Sequence, residues 1–101
     1  MGILDFLTGN KTDKIKDFQS RGAIILDVRT ASEYNQGAIP GSKNIPLQVL
    51  NGKIKDIKKQ NKPVITCCAS GMRSGSAATL LKANGIDAIN GGGWFSLSKK
   101  L

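Results

Sequence analysis

Two adjacent thiols, Cys67 and Cys68, stand at the head of the string Cys68-Ala69-Ser70-Gly71-Met72-Arg73-Ser74, and they are the only cysteines in the chain. Their adjacency offers neither a disulfide framework nor the two-residue spacing of zinc and thioredoxin-type motifs. The chain has no histidine. That excludes a Cys-His or Ser-His catalytic pair, an imidazole metal site and a proton shuttle near neutral pH, and with them most hydrolase chemistry. What remains is thiolate chemistry supported by something other than imidazole. A loop of small residues between a strand and a helix supplies that support, because its backbone amides and the helix amino terminus converge on one anion site. A cysteine in first position, Cys68, would have its thiolate stabilised by those amides, by the helix dipole and by the Arg73 guanidinium. Its pKa would then fall below about 8.5, making it a nucleophile near pH 7. Ala69 and Gly71 let the loop curl tightly, and Met72 is predicted to point out at its rim. Cys67, as the last strand residue, should face away from Cys68 and pack in the core.

The elements that must hold this loop are legible on either side of it. Val64-Ile65-Thr66-Cys67 reads as a β-branched strand, and Ala77, Ala78, Leu80 and Leu81 restore helical spacing in a helix that begins near Arg73 and is closed by Asn84-Gly85. Upstream, Thr12 or Asp13 is predicted to cap a helix that places Ile15 and Phe18 on one face and stops at Gly22. Ala23-Ile24-Ile25-Leu26 then reads as a strand buried on both faces, with Asp27-Val28-Arg29 at its carboxyl end. Thr30 to Gln36 suits one helical turn, and Gly37 to Gly41 a loop. Lys43-Asn44-Ile45 is a short strand, and Pro46 opens a helix over Leu47 to Leu50 that Asn51-Gly52 breaks. A lysine-rich helix follows, with Ile54 and Ile57 inward, and Pro63 stops it. Ile86 to Asn90 makes a last strand, which Gly91-Gly92-Gly93 separates from a terminal helix carrying Trp94, Phe95 and Leu97. Strands alternating with helices imply an α/β fold, a mainly parallel central sheet with helices on both faces, and ligands beyond the carboxyl ends of the strands.

The 101 residues suit a single domain, and no apolar run approaches the roughly 20 residues of a membrane span. Met1 to Phe6 shows no leader pattern, so an intracellular, cytoplasmic location is expected, consistent with unpaired thiols. The net charge of +8 favours anionic partners. Five of the twelve lysines fall between Lys53 and Lys62. Without arginines or interleaved aromatics this cluster reads as a solvated helix face rather than a nucleic-acid surface. Asp27, Arg29 and Glu33, at a strand's carboxyl end, read as braces for the active loop. Tyr34 and Trp94 read as packing residues, and the glycine triplet as a connector that could border the site.

Four segments taken together resemble the rhodanese family of sulfurtransferases. They are Leu26-Asp27-Val28-Arg29 with Glu33-Tyr34, Gly37-Ala38-Ile39-Pro40-Gly41-Ser42-Lys43-Asn44-Ile45-Pro46, Cys68 to Ser74, and Gly91-Gly92-Gly93-Trp94. The likeness runs from about Ala23 to the carboxyl end. It departs from the family at Ala38, where a histidine is usual and a structural hydrogen bond should be lost, and at the amino terminus, where the usual first strand is not evident. The resemblance implies transfer of a sulfane sulfur from a small anionic donor such as thiosulfate to a thiol or cyanide acceptor, or to a protein acceptor, by a monomer needing no cofactor or metal. Cys68 would carry the persulfide. The amides from Ala69 through Ser70, Gly71, Met72 and Arg73 to Ser74 would cradle the donor, and Arg73 would hold the loop and its charge. Sulfite leaves as a stable anion, so this chemistry needs no general acid, in keeping with the missing histidine.

Two rival readings share these residues. Counting from Cys67, five residues precede Arg73 and then Ser74, the spacing of a cysteine-dependent phosphatase or arsenate reductase whose longer loop would start at Cys67. A non-catalytic sulfur-relay or binding module would keep the Cys68 chemistry and use the lysines of 53–62 to dock a partner.

Overall fold

The structure is a computed structural model that describes residues 11–101. The stretch from Met1 to Phe6, where no leader was expected, lies outside the described residues. The elements in chain order are α1 (Lys11–Ser20), β1 (Ile24–Asp27), α2 (Ala31–Asn35), β2 (Lys43–Asn44), α3 (Leu47–Leu50), α4 (Ile54–Lys59), β3 (Val64–Cys68), α5 (Met72–Ala83), β4 (Ala88–Gly93) and α6 (Trp94–Ser98). The described strands form one parallel sheet in the order β2-β1-β3-β4. Alternating side chains of β3 divide the core. Val64 and Cys68 face Leu26, Leu50, Ile54, Ile57, Ala77, Ala78 and Leu81 under α3, α4 and α5. Ile65 and Cys67 face Ile15, Phe18, Ile39 and Leu97 under α1 and α6. The expected α/β sheet with helices on both faces is therefore present, and the two adjacent thiols lie on opposite faces because successive strand residues do.

Both long helices end by the same device. Gly22 and Gly85 adopt φ of +77° and +79°. In each case the glycine N–H and the one after it donate back into the last turn, Ala23 to the Phe18 carbonyl and Ile86 to the Leu81 carbonyl. Each reversal returns the chain to the amino-terminal edge of the sheet, from which β1 and β4 run toward the loop after β3.

Local expectations needed correction at four places. Thr12 and Asp13 lie inside α1, not ahead of it. Asn51-Gly52 does not break the chain out of helix but continues through a 3-10 turn over Asn51–Lys53 into α4. β3 runs one residue further than expected, through Cys68, and α5 starts at Met72. The glycine triplet is not a connector, since β4 extends through Gly93. It pairs there with Cys68 after a register shift that gives β4 one additional residue between its Thr66 and Cys68 partners.

Candidate active site

The loop between β3 and α5 is held in shape by close backbone approaches that exclude side chains. A methyl group on Gly91 would lie 2.7 Å from the Thr66 carbonyl oxygen, and one on Gly93 would lie 2.9 Å from that of Ala69. Gly71 takes φ of +104° at the amino end of α5, where a side chain would be strained. This conformation turns the Gly71 N–H onto Cys68 Sγ at 3.0 Å, and the first turn of α5 adds the Ser74 N–H at 3.4 Å. Ser74 Oγ lies 3.3 Å from the same sulfur. Burial pushes the Cys68 thiol up, but the Ser74 hydroxyl and the N–H groups of Ser74, Gly71 and Ser70 outweigh it, leaving its pKa below the ordinary value.

The converging amides do not leave the sulfur open to solvent: Cys68 is only 1% exposed. The N–H groups of Gly71 and Ser74 turn inward onto the sulfur, while Ala69 and Ser70, next along the loop, are exposed. Arg73, expected to hold the loop and its charge, turns its guanidinium to Glu33, with Nη1 to Oε1 at 2.8 Å and Nη2 to Oε2 at 3.0 Å. It still lies within electrostatic reach of Cys68, but its fork of donors ties the loop to α2. Glu33 is prepared for this by Thr30: their side chains cap α2 reciprocally. Arg73 above all, and then the Thr30 N–H, hold the Glu33 carboxyl down at about 2.

Of the other predicted loop residues, Met72 is 82% exposed at the rim, as expected, and Ser74 is buried. Asp27 and Arg29 form a buried pair, with Nη2 to Oδ2 at 2.7 Å. From that anchor Arg29 donates to the carbonyls of Gly37 at 2.7 Å and Glu33 at 3.3 Å, and its guanidinium stacks 4.7 Å from the Trp94 ring. These groups brace the site and do not line the sulfur. Among the described residues no buried side-chain nitrogen or oxygen lacks a partner, so alanine at position 38 leaves no such side-chain atom unpaired. Cys67 is fully buried on the other face, and burial, with Asp27 adding to it, pushes its thiol up to about 12. Cys67 thus lies on the face away from the amides that converge on Cys68.

Sequence reasoning missed Asn90 and Thr66. Thr66 Oγ1 donates to the Ser74 carbonyl at 2.7 Å. Asn90 Nδ2 donates to the Gly71 carbonyl at 3.0 Å, while its Oδ1 accepts from Ser74 Oγ at 2.7 Å and from the Gly92 N–H at 2.9 Å. The only sequence signal was a polar residue directly ahead of three glycines. The lysine cluster is partly remote from the loop: Lys62 precedes β3 and Lys58 lies against Gly85 ahead of β4, at the opposite end of the strands from Cys68.

Among the described residues no helix is long and apolar enough to cross a membrane. The family profile described as Rhodanese-like domain matches residues 11–100. Uncharacterized protein YqhL of Bacillus subtilis is 41% identical over 69 residues, which cover 68% of this chain and 54% of that protein. A protein of Allochromatium vinosum named Sulfurtransferase is 32% identical over 66 residues, covering 65% of this chain and 61% of its own. The chain thus spans little more than half the length of these relatives. A crystal structure of a rhodanese-like domain protein from Staphylococcus aureus superposes with a TM-score of 0.67 at 34% identity, covering 86% of each chain.

Proposed function

The chain belongs to the rhodanese-like domain family, and from that premise we propose that it is a sulfurtransferase that carries a sulfane sulfur as a persulfide on Cys68. The observation that carries this reading is the convergence of the Gly71 and Ser74 N–H groups and the Ser74 hydroxyl on one sulfur, with the resulting fall in its pKa. Hydrogen bonds to the ionised form favour it, and the same amides suit the outer sulfur of a persulfide.

In the forward step the Cys68 thiolate attacks the sulfane sulfur of a donor such as thiosulfate. A new S–S bond forms on Sγ, the donor's S–S bond breaks, and sulfite leaves with the electron pair. A thiol or cyanide then attacks the outer sulfur and returns Cys68 as the thiolate. The net charge of +8 draws the dianionic donor. Because Cys68 is buried, the loop around it must open for the donor to reach its sulfur. The expected action is that of one rhodanese-like domain working on small donors, with Ala69 to Ser74 as the cradle and Arg73 as its tether.

Incubation with thiosulfate followed by intact-mass measurement and peptide mapping should find one added sulfur, located on Cys68. A mass unchanged at saturating thiosulfate and at saturating persulfide donor would overturn the reading.

A further inference from the structure

Asn90 makes no contact with Cys68 in the hydrogen-bond network, yet it governs the group that does. The orientation of its amide is settled by the backbone: Nδ2 donates to the Gly71 carbonyl at 3.0 Å, and Oδ1 accepts the Gly92 N–H at 2.9 Å. An amide oxygen carries no hydrogen, so in the 2.7 Å contact between Ser74 Oγ and Asn90 Oδ1 the hydroxyl must be the donor. Serine has one hydroxyl hydrogen. While it points at Asn90 it cannot point at Cys68, and the 3.3 Å contact between Sγ and Oγ is then made by the thiol S–H donating to the hydroxyl oxygen. That arrangement belongs to the neutral thiol. A thiolate has no hydrogen to give, and the nearest mobile one is that of Ser74.

We propose that Asn90 is a positioning residue that holds the Ser74 hydroxyl hydrogen away from the neutral Cys68 thiol and yields it to the thiolate. The exchange needs only rotation of one O–H bond. Asn90 stays in place because its two backbone partners persist, and Oδ1 remains satisfied by the Gly92 N–H. The thiol proton goes to solvent. The hydroxyl therefore follows the charge on sulfur, and Asn90 Oδ1, as its resting acceptor, restrains ionisation. This concerns the ionisation of Cys68 and rests on neither a sulfur donor nor sulfur transfer.

The test is the pH titration of thiolate ultraviolet absorbance, read against the Cys68→Ser counterpart of each protein. Four proteins are compared: wild type, Asn90→Leu, Ser74→Ala and the double variant. Cys67 stays neutral throughout, since burial holds its thiol up at about 12. The charged groups around the loop are Arg73, paired with Glu33, Asp27, paired with Arg29, and Lys11 of α1, whose Nζ lies against Gly92, and none of them is changed. Losing a hydroxyl-to-amide hydrogen bond as the competitor should raise the thiolate-to-thiol ratio at a given pH about fivefold in Asn90→Leu. In the Ser74→Ala background the same substitution should raise it less than about twofold, because there is no hydrogen to release. A merely structural role predicts otherwise: a loosened loop lowers the ratio, and by the same factor in both backgrounds. Equal changes in the two backgrounds, or a lower ratio in Asn90→Leu alone, overturn the proposal. Asn90→Ala removes the same acceptor and replaces Asn90→Leu should the latter not fold by circular dichroism. The titration involves no sulfur transfer, so an inert enzyme with the expected coupling would refute the proposed function and leave this inference standing.

Discussion

Replacing the two neighbouring thiols one at a time separates the chemistry of this chain from its packing. Cys67 is fully buried among Ile15, Phe18, Ile39, Ile65 and Leu97, and its thiol is pushed up to about 12. At pH 7 that direction keeps Cys67 as the neutral thiol. Cys67→Ala should therefore leave thiosulfate-to-cyanide transfer within about threefold of wild type. It empties a small volume in the core, worth about 1 to 2 kcal/mol, and each kcal/mol lowers Tm by about 4 to 8 °C in a domain of this size. Cys68→Ser keeps the backbone amides but replaces a low-pKa thiol with a hydroxyl that does not ionise, so transfer should fall at least about 10³-fold while Tm changes little. The assay pairs steady-state transfer with thermal unfolding of each variant. Transfer lost in a folded Cys67→Ala protein, or retained in Cys68→Ser, would refute the assignment. Phosphate released from an aryl phosphate only while Cys67 is present would point to the longer loop instead.

Two further outcomes follow from the bracing. Gly91→Ala places a methyl group 2.7 Å from the Thr66 carbonyl and 2.8 Å from Ile65 Cγ2, so it should lower stability by about 1 to 3 kcal/mol, measured as a lower urea midpoint at unchanged m. A loss under about 0.5 kcal/mol would show that the β4 approach is slack. Glu33, held down at about 2 by Arg73 and Thr30, stabilises the fold fully above the ordinary carboxyl range and less as pH falls from about 4.5 toward 2. The Tm difference between wild type and Glu33→Gln should therefore shrink over that window, and shrink also with added salt, because both side chains are 37% exposed. A difference that does not vary with pH would remove the ion pair as its cause.

Much of this was present in the order of residue types. A β-branched run, a loop of small residues, an arginine and a helical apolar stripe specify strand, anion loop and helix through local preferences. Period-two alternation alone sends Cys67 and Cys68 to opposite faces. The absence of histidine restricts the chemistry without any reference to the fold. Ser74 and Gly71 could be named as part of the cradle because they lie within six residues of the sulfur they serve. Glycine at 22 and at 85 marked its helix end by the backbone conformation it permits.

The remaining features depend on groups far apart in the chain. Arg73 chose Glu33, 40 positions away, over the sulfur five positions back, because the Thr30 cap fixes a carboxylate whose two oxygens match its two nitrogens. Asn90 reached the loop only once β4 had paired beside β3, and the glycines before Trp94 became strand because Thr66 and Ala69 carbonyls press against them. Residue types and short spacings determine which group can ionise; distances between strands, set by packing of the whole sheet, decide what surrounds it.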